Sequence, residues 1–128
     1  MMNEVEFRNW LIKKGTKPKV AGDTISRLKR IEREIENCDI DDQYRSDKCE
    51  FLMSLFINNG VNNNMKKYSN VNFPIGKYYM STYRLSLRQY INFCEDILQK
   101  FRLELLQVDF QLFLLYVYRK NNIPVMCI

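Results

Sequence analysis

Histidine is absent from the 128 residues. That removes imidazole acid–base catalysis, Ser-His-Asp and Cys-His centres, and most zinc hydrolases. Neither GxxxxGK[ST] nor GxGxxG occurs, so neither familiar phosphate cradle is present. The four cysteines, Cys38, Cys49, Cys94 and Cys127, include no CxxC pair. A tetrahedral zinc site is not expected, and the thiols read as small buried hydrophobes in a reducing compartment. Adjacent carboxylates such as Asp41/Asp42 and Glu95/Asp96 diverge on a helix or strand and do not share a centre. "DFQ" and "ERE" do not supply the acid-x-Lys of a PD-(D/E)xK nuclease. No catalytic residue, metal ligand or cofactor site is therefore assigned, and an enzyme is not expected. The opening "MMNEVEFRNW" carries acids and no long apolar run, so no secretory signal is expected and a cytoplasmic location follows.

What is present is apolar residues at 46%, aromatics at 13% and a net charge of +5. Such a composition suits a globular domain with one core and an anionic partner. The apolar spacing predicts an all-α bundle of four to five helices. The first spans about Glu4 to Lys14, with Phe7, Leu11 and either Trp10 or Lys14 at helical spacing and Gly15 as its C-cap. "TKPK" then reads as a break. Asp23 or Thr24 caps a second helix to about Asn37, with Ile25, Leu28, Ile31 and Ile35 on its apolar side. Its charges read as surface pairs, Lys29 with Glu32, Arg30 with Glu34 and Arg33 with Glu36.

"NCDIDDQYRSD" superficially resembles a calcium loop, but it lacks the central glycine and the ligand spacing. It reads as capping and linker sequence, with Asp47 capping a third helix over Lys48 to Asn58. That helix buries Phe51, Leu52, Leu55 and Phe56. "NNGVNNNMKKYSNVNFPIG" reads as a mobile polar loop. A fourth helix, Lys77 to Gln99, packs Tyr83, Leu87, Tyr90 and Cys94. It presents Lys77, Ser81, Arg84 and Arg88 roughly 100–160° around the helix from them.

From Phe51 to Cys94 there are five basic residues and no acid. Length alone gives one domain: a basic helical domain over 1–100 is expected, with an apolar segment over 101–128 that packs on it or forms an interface. The segment reads as a fifth helix, Phe101 to Tyr118. The alternative is a short β-hairpin, "QLFLLYVY" and "IPVMCI" flanking "RKNN". Its uninterrupted apolar run is too short for the roughly 20 residues that span a bilayer, so no membrane partner is expected.

"FRNWLIKKGTKPKVAGDTISRLKRIEREI" resembles the opening of the core-binding, SAM-like domain of phage integrases and other tyrosine recombinases, at Phe7, Trp10, Leu11, Thr24, Ile25 and Leu28. "YRLSLRQYINFCE" is similar to that domain's last helix, at Arg84, Arg88, Tyr90 and Phe93. The likeness covers residues 4–98. The family's catalytic domain has no counterpart in this chain, so no recombinase activity is implied. The resemblance implies clamping of duplex DNA by Lys17, Lys19, Arg27, Arg30, Arg84 and Arg88. The charge pattern alone points to the same residues and to Lys77, as phosphate contacts without base readout. The competing expectation is a small phage or mobile-element protein that inhibits or adapts a host machine. Its homodimer or partner interface would then lie in residues 103–118.

Overall fold

The computed structural model describes residues 2–68 and 77–120, with side chains throughout except at 77–79, 108–110, 113, 118 and 120. Six α-helices follow one another: α1 (Glu4–Lys13), α2 (Pro18–Glu34), α3 (Ile40–Asp47), α4 (Glu50–Leu55), α5 (Asn63–Lys66) and α6 (Lys77–Lys120). A 3-10 turn, Ile57–Gly60, joins α4 to α5. No strand occurs among the described residues, and the fold is all-α as its apolar spacing predicts. The chain forms two compact units, Met1–Cys94 and Glu95–Ile128, and α6 crosses from one to the other.

The first unit is built on a helical hairpin. At the end of α1 the Gly15 N–H donates to Ile12 O and the Thr16 N–H to Leu11 O, both at 3.0 Å. This paired closure needs a left-handed residue, and Gly15 supplies it at φ +101°. Helix α2 starts at Pro18, earlier than the Asp23 or Thr24 start expected. The first helical position has no use for an N–H, and proline's fixed φ suits it, so "TKPK" opens this helix. Thr24 lies inside it and its hydroxyl donates to Val20 O at 3.0 Å. Phe7 and Leu11 of α1 and Ile25, Leu28, Ile31 and Ile35 of the α2 stripe are all buried.

The acidic segment forms α3. Its N-cap, Asp39, accepts from the Asp41 and Asp42 N–H groups at 3.0 and 3.4 Å. Asp47 accepts from the Phe51 N–H at 3.0 Å and so caps the start of α4, the role its position predicts. The expected helix Lys48 to Asn58 is cut to Glu50–Leu55. Lys48 and Cys49 sit at φ +57° and +63° before it, and Asn58 and Asn59 at +50° and +57° after it.

The asparagine-rich stretch is not the open loop expected, at least over 57–68. Asn62 caps α5 by accepting from the Met65 N–H at 2.8 Å, while its amide donates to Leu55 O and Ile57 O at 2.9 and 3.0 Å. Asn58 donates to Val61 O, and Asn64 to the Ser54 hydroxyl, each at 2.9 Å. Asparagine tolerates left-handed backbone and satisfies turn carbonyls, so this run holds a compact corner. Residues 69–76 of the same expectation lie outside the described residues.

Helix α6 starts where expected but does not end near Gln99. No glycine or proline stands between Gly76 and Pro124, and the helix runs unbroken to Lys120. Residues 111–118 are helical, which removes the hairpin alternative for "QLFLLYVY". "IPVMCI" lies outside the described residues. Tyr83, Leu87, Tyr90 and Phe93 bury the first part of α6 in the unit-one core.

Candidate nucleic-acid interface

Charge divides unequally between the two units. Sixteen of the twenty basic and eleven of the fifteen acidic residues fall in Met1–Cys94, which carries the whole +5; Glu95–Ile128 has four of each. Within the first unit the densest positive run is the α1–α2 hairpin. From Phe7 to Gly22 there are five basic residues, Arg8, Lys13, Lys14, Lys17 and Lys19, and no acid. The four lysines are exposed around the turn that the Gly15 closure fixes. Arg8 is taken by Glu4 at 3.6 Å, and the Lys14 ammonium sits 5.6 Å above the Trp10 ring.

Lys17 is the N-cap of α2, in extended backbone, with no side-chain cap hydrogen bond. Lys19 lies in the first turn. The unpaired N–H groups that begin a helix carry partial positive charge, which adds to the lysines at this end. Lys13 and Lys14 belong to the same cluster, although they fall outside the residues assigned from sequence. The absence of acids from Phe7 to Gly22 is the signal that finds them.

The remaining assigned residues do not all join this cluster. Along α2, Lys19 and Arg30 fall within about 20° of each other around the axis but about 16 Å apart along it. Arg27 is turned further round and is half-buried, as is Arg30. The expected pairing of Lys29 with Glu32 does not form: Lys29 reaches Glu4 across the hairpin at 2.8 Å, and Glu32 accepts from the Ile40 N–H at 3.1 Å. Arg33 pairs with its neighbour Glu34 at 3.5 Å rather than with Glu36.

Arg84 and Arg88 form a second set, on α6. Arg88 is exposed and makes no ion pair among the described residues. Arg84 is half-buried, and its guanidinium donates to Phe56 O at 2.7 Å. That carbonyl lies at the C-cap of α4, so Arg84 closes a helix end within the bundle. The side chain of Lys77 lies outside the described residues.

Six residues beyond Arg84 the bundle is locked by Tyr90. Its hydroxyl donates to Asp41 at 2.5 Å and accepts from the Asn3 N–H at 3.0 Å, joining α6 to α3 and to the start of α1. Its ring meets Phe7 edge-on at 4.9 Å, and Trp10 and Phe93 complete the aromatic cluster. Burial, and the Asp41 carboxylate beside it, push the Tyr90 phenol above its ordinary range. Trp10 and Tyr83 are packing residues here, and Tyr83 stacks on Phe56 at 5.6 Å.

Two of the described thiols, Cys38 and Cys49, are poor nucleophiles. Burial pushes Cys49 up to about 12, and burial reinforced by Glu32 and Asp39 pushes Cys38 up to about 11. Cys127 lies outside the described residues. No group of three or more metal-binding side chains occurs among the described residues.

Fold and surface together define an all-α bundle carrying a cationic helical hairpin. The chain matches no protein-family model, no curated protein and no solved structure.

Proposed function

We propose that Met1–Cys94 is a non-catalytic DNA-binding module that grips the phosphate backbone of a duplex through the α1–α2 hairpin. Lys13, Lys14, Lys17 and Lys19 make the principal contacts, with Arg27, Arg30 and Arg88 as outlying ones. The observation that carries the reading is the cluster of exposed lysines around the hydrogen-bonded Gly15 turn, in a stretch of sequence with no acid. Flexible ammonium groups at such a place suit phosphate oxygens and not base edges. The integrase-like resemblance supports the same reading and associates the module with a phage or mobile-element protein. Arg84 acts from behind the surface, by holding the end of α4.

A mobility shift on arbitrary duplex DNA across a salt series tests this. Each phosphate contact contributes a slope of about 0.9 to the fall of log K with log salt. Replacing Lys13, Lys14, Lys17 and Lys19 with glutamate should abolish retardation at moderate salt, whereas Lys66→Glu/Lys67→Glu should weaken it less. Equal retardation by the wild type and the four-glutamate protein removes the hairpin from the mechanism.

The exposed apolar residues of Glu95–Ile128 favour a second reading, a protein-interaction module that uses this part of α6. Phe101, Leu105 and Leu112 follow one another along one side of the helix and are exposed at 56%, 48% and 59%. A contiguous surface of that kind marks an interaction site.

A further inference from the structure

Helix α6 carries one apolar stripe from end to end. Leu87, Ile91 and Cys94 lie on it in the first unit, where Leu87 is buried and the other two are half-buried. The same alternation of four and three residues continues without a break through Leu98, Phe101, Leu105, Val108, Leu112 and Leu115, and ends at Arg119. A spacing that averages 3.5 residues, sustained this long, is the seam of a coiled coil. In the second unit the described seam side chains stand in solvent: Leu98 is 37% exposed, Phe101 56%, Leu105 48%, Leu112 59% and Leu115 40%.

We propose that α6 from Leu98 to Leu115 pairs antiparallel with the same segment of a second copy of this chain. The proposal deepens the interaction reading of this segment and rests on it; it is independent of DNA binding. The pairing sets Leu98 opposite Leu115, Phe101 opposite Leu112, and Leu105 opposite position 108. All six seam positions are then matched in a two-fold arrangement centred between residues 106 and 107.

Charge selects this occupant and this direction. The positions flanking the seam are Glu95, Arg102 and Asp109 on one side and Glu104 and Gln111 on the other. An antiparallel pair puts Arg102 on the same flank as Asp109 of the other copy, two residues from level, twice by symmetry. A parallel pair sets Glu104 across the seam from Asp109, five residues along, twice, with like charges facing. From Leu98 to Leu115 there are two basic and two acidic residues, so two copies meet without net repulsion.

Sedimentation equilibrium on the full chain tests the pairing. The expected mass is twice 15.5 kDa at micromolar concentration. Leu105→Asp/Leu112→Asp should sediment as a monomer, with circular dichroism confirming that the exposed substitutions leave the helices intact. Asp109→Arg should weaken the dimer about tenfold, since two charge pairs turn from attraction to repulsion. Adding Arg102→Asp should restore it. A tighter dimer with Asp109→Arg overturns the antiparallel direction. A trimer, or a wild-type monomer at every concentration, overturns the self-pairing and leaves the interaction reading standing. A dimer untouched by Leu105→Asp/Leu112→Asp overturns both, because α6 is then not the contact surface.

Discussion

Phe7 and Leu103 are both large apolar residues on helices, and the chain treats them in opposite ways. Phe7 is fully buried in Met1–Cys94, where the aromatic rings of Trp10, Tyr90 and Phe93 surround it. Leu103 stands exposed in Glu95–Ile128, as do Phe101, Leu105 and Leu106. The unit that holds the buried core carries all the net charge, and the unit of Leu103, Leu105 and Leu106 carries none. The difference separates two kinds of recognition. A charged, internally satisfied surface attracts polyanions over a Debye length, while a neutral apolar helix gains by contact alone.

The largest test of this contrast is a pair of truncations. Phe7→Ala removes a buried ring and should cost about 3–5 kcal/mol in urea unfolding. Domains of this size are stable by roughly 5–15 kcal/mol, so the variant is left near its limit. Leu103→Ala, which empties no packed site, should change stability by less than about 0.5 kcal/mol. Comparable losses at the two positions would break the comparison.

How much of this arrangement is legible in the sequence depends on how local its cause is. The stripe Ile25, Leu28, Ile31 and Ile35 and the stripe Tyr83, Leu87 and Tyr90 are set by helical repeat, and the fold buries each of those residues. Asp47 as a cap is equally local. The start of α2 misleads because Pro18 reads as a breaker unless it is placed at the first helical position. Two non-local hydrogen bonds have no spacing that announces them. Arg84 meets a carbonyl 28 residues away, and the Tyr90 phenol meets a carboxylate 49 residues away. A basic residue on a helix face thus turns out to be half surface and half scaffold. For the hairpin, Lys17 and Lys19 are legible as cations. Their grouping with Lys13 and Lys14 becomes visible only once the Gly15 closure brings the two helix ends to one turn.

The asparagine corner supplies the next test, of intermediate size. Composition assigns it to a loop because asparagine is a poor helix former, yet Asn62 alone makes three hydrogen bonds that join α4, the 3-10 turn and α5. Asn62→Ala should cost about 1–2 kcal/mol, the range for losing a cap whose partners are left unpaired. Asn62→Asp keeps the cap oxygen but loses both donations, and should fall between the wild type and Asn62→Ala. A midpoint unchanged in Asn62→Ala would return the segment to the class of loops and shrink the ordered part of the first unit.

The smallest effect concerns an ion pair on the cationic hairpin itself. Lys29 of α2 reaches Glu4 of α1, and both side chains are exposed. The bonded Lys29 ammonium holds the Glu4 carboxyl below its ordinary 4.5; slight desolvation opposes it, and the Lys29 and Arg8 charges add to the lowering. A carboxylate lowered in the folded state stabilises that state above the unfolded value, and the contribution is lost as pH falls through the folded one. Glu4→Gln should therefore lower the melting temperature slightly at neutral pH and low salt, and the difference from wild type should fade below pH 4.5 and in high salt. The pair also bears on polyanion binding. Glu4 neutralises Lys29, so Glu4→Gln should slightly raise affinity for duplex DNA under the proposed function even as it lowers stability. Opposite signs in the two measurements would separate the hairpin's surface charge from its packing.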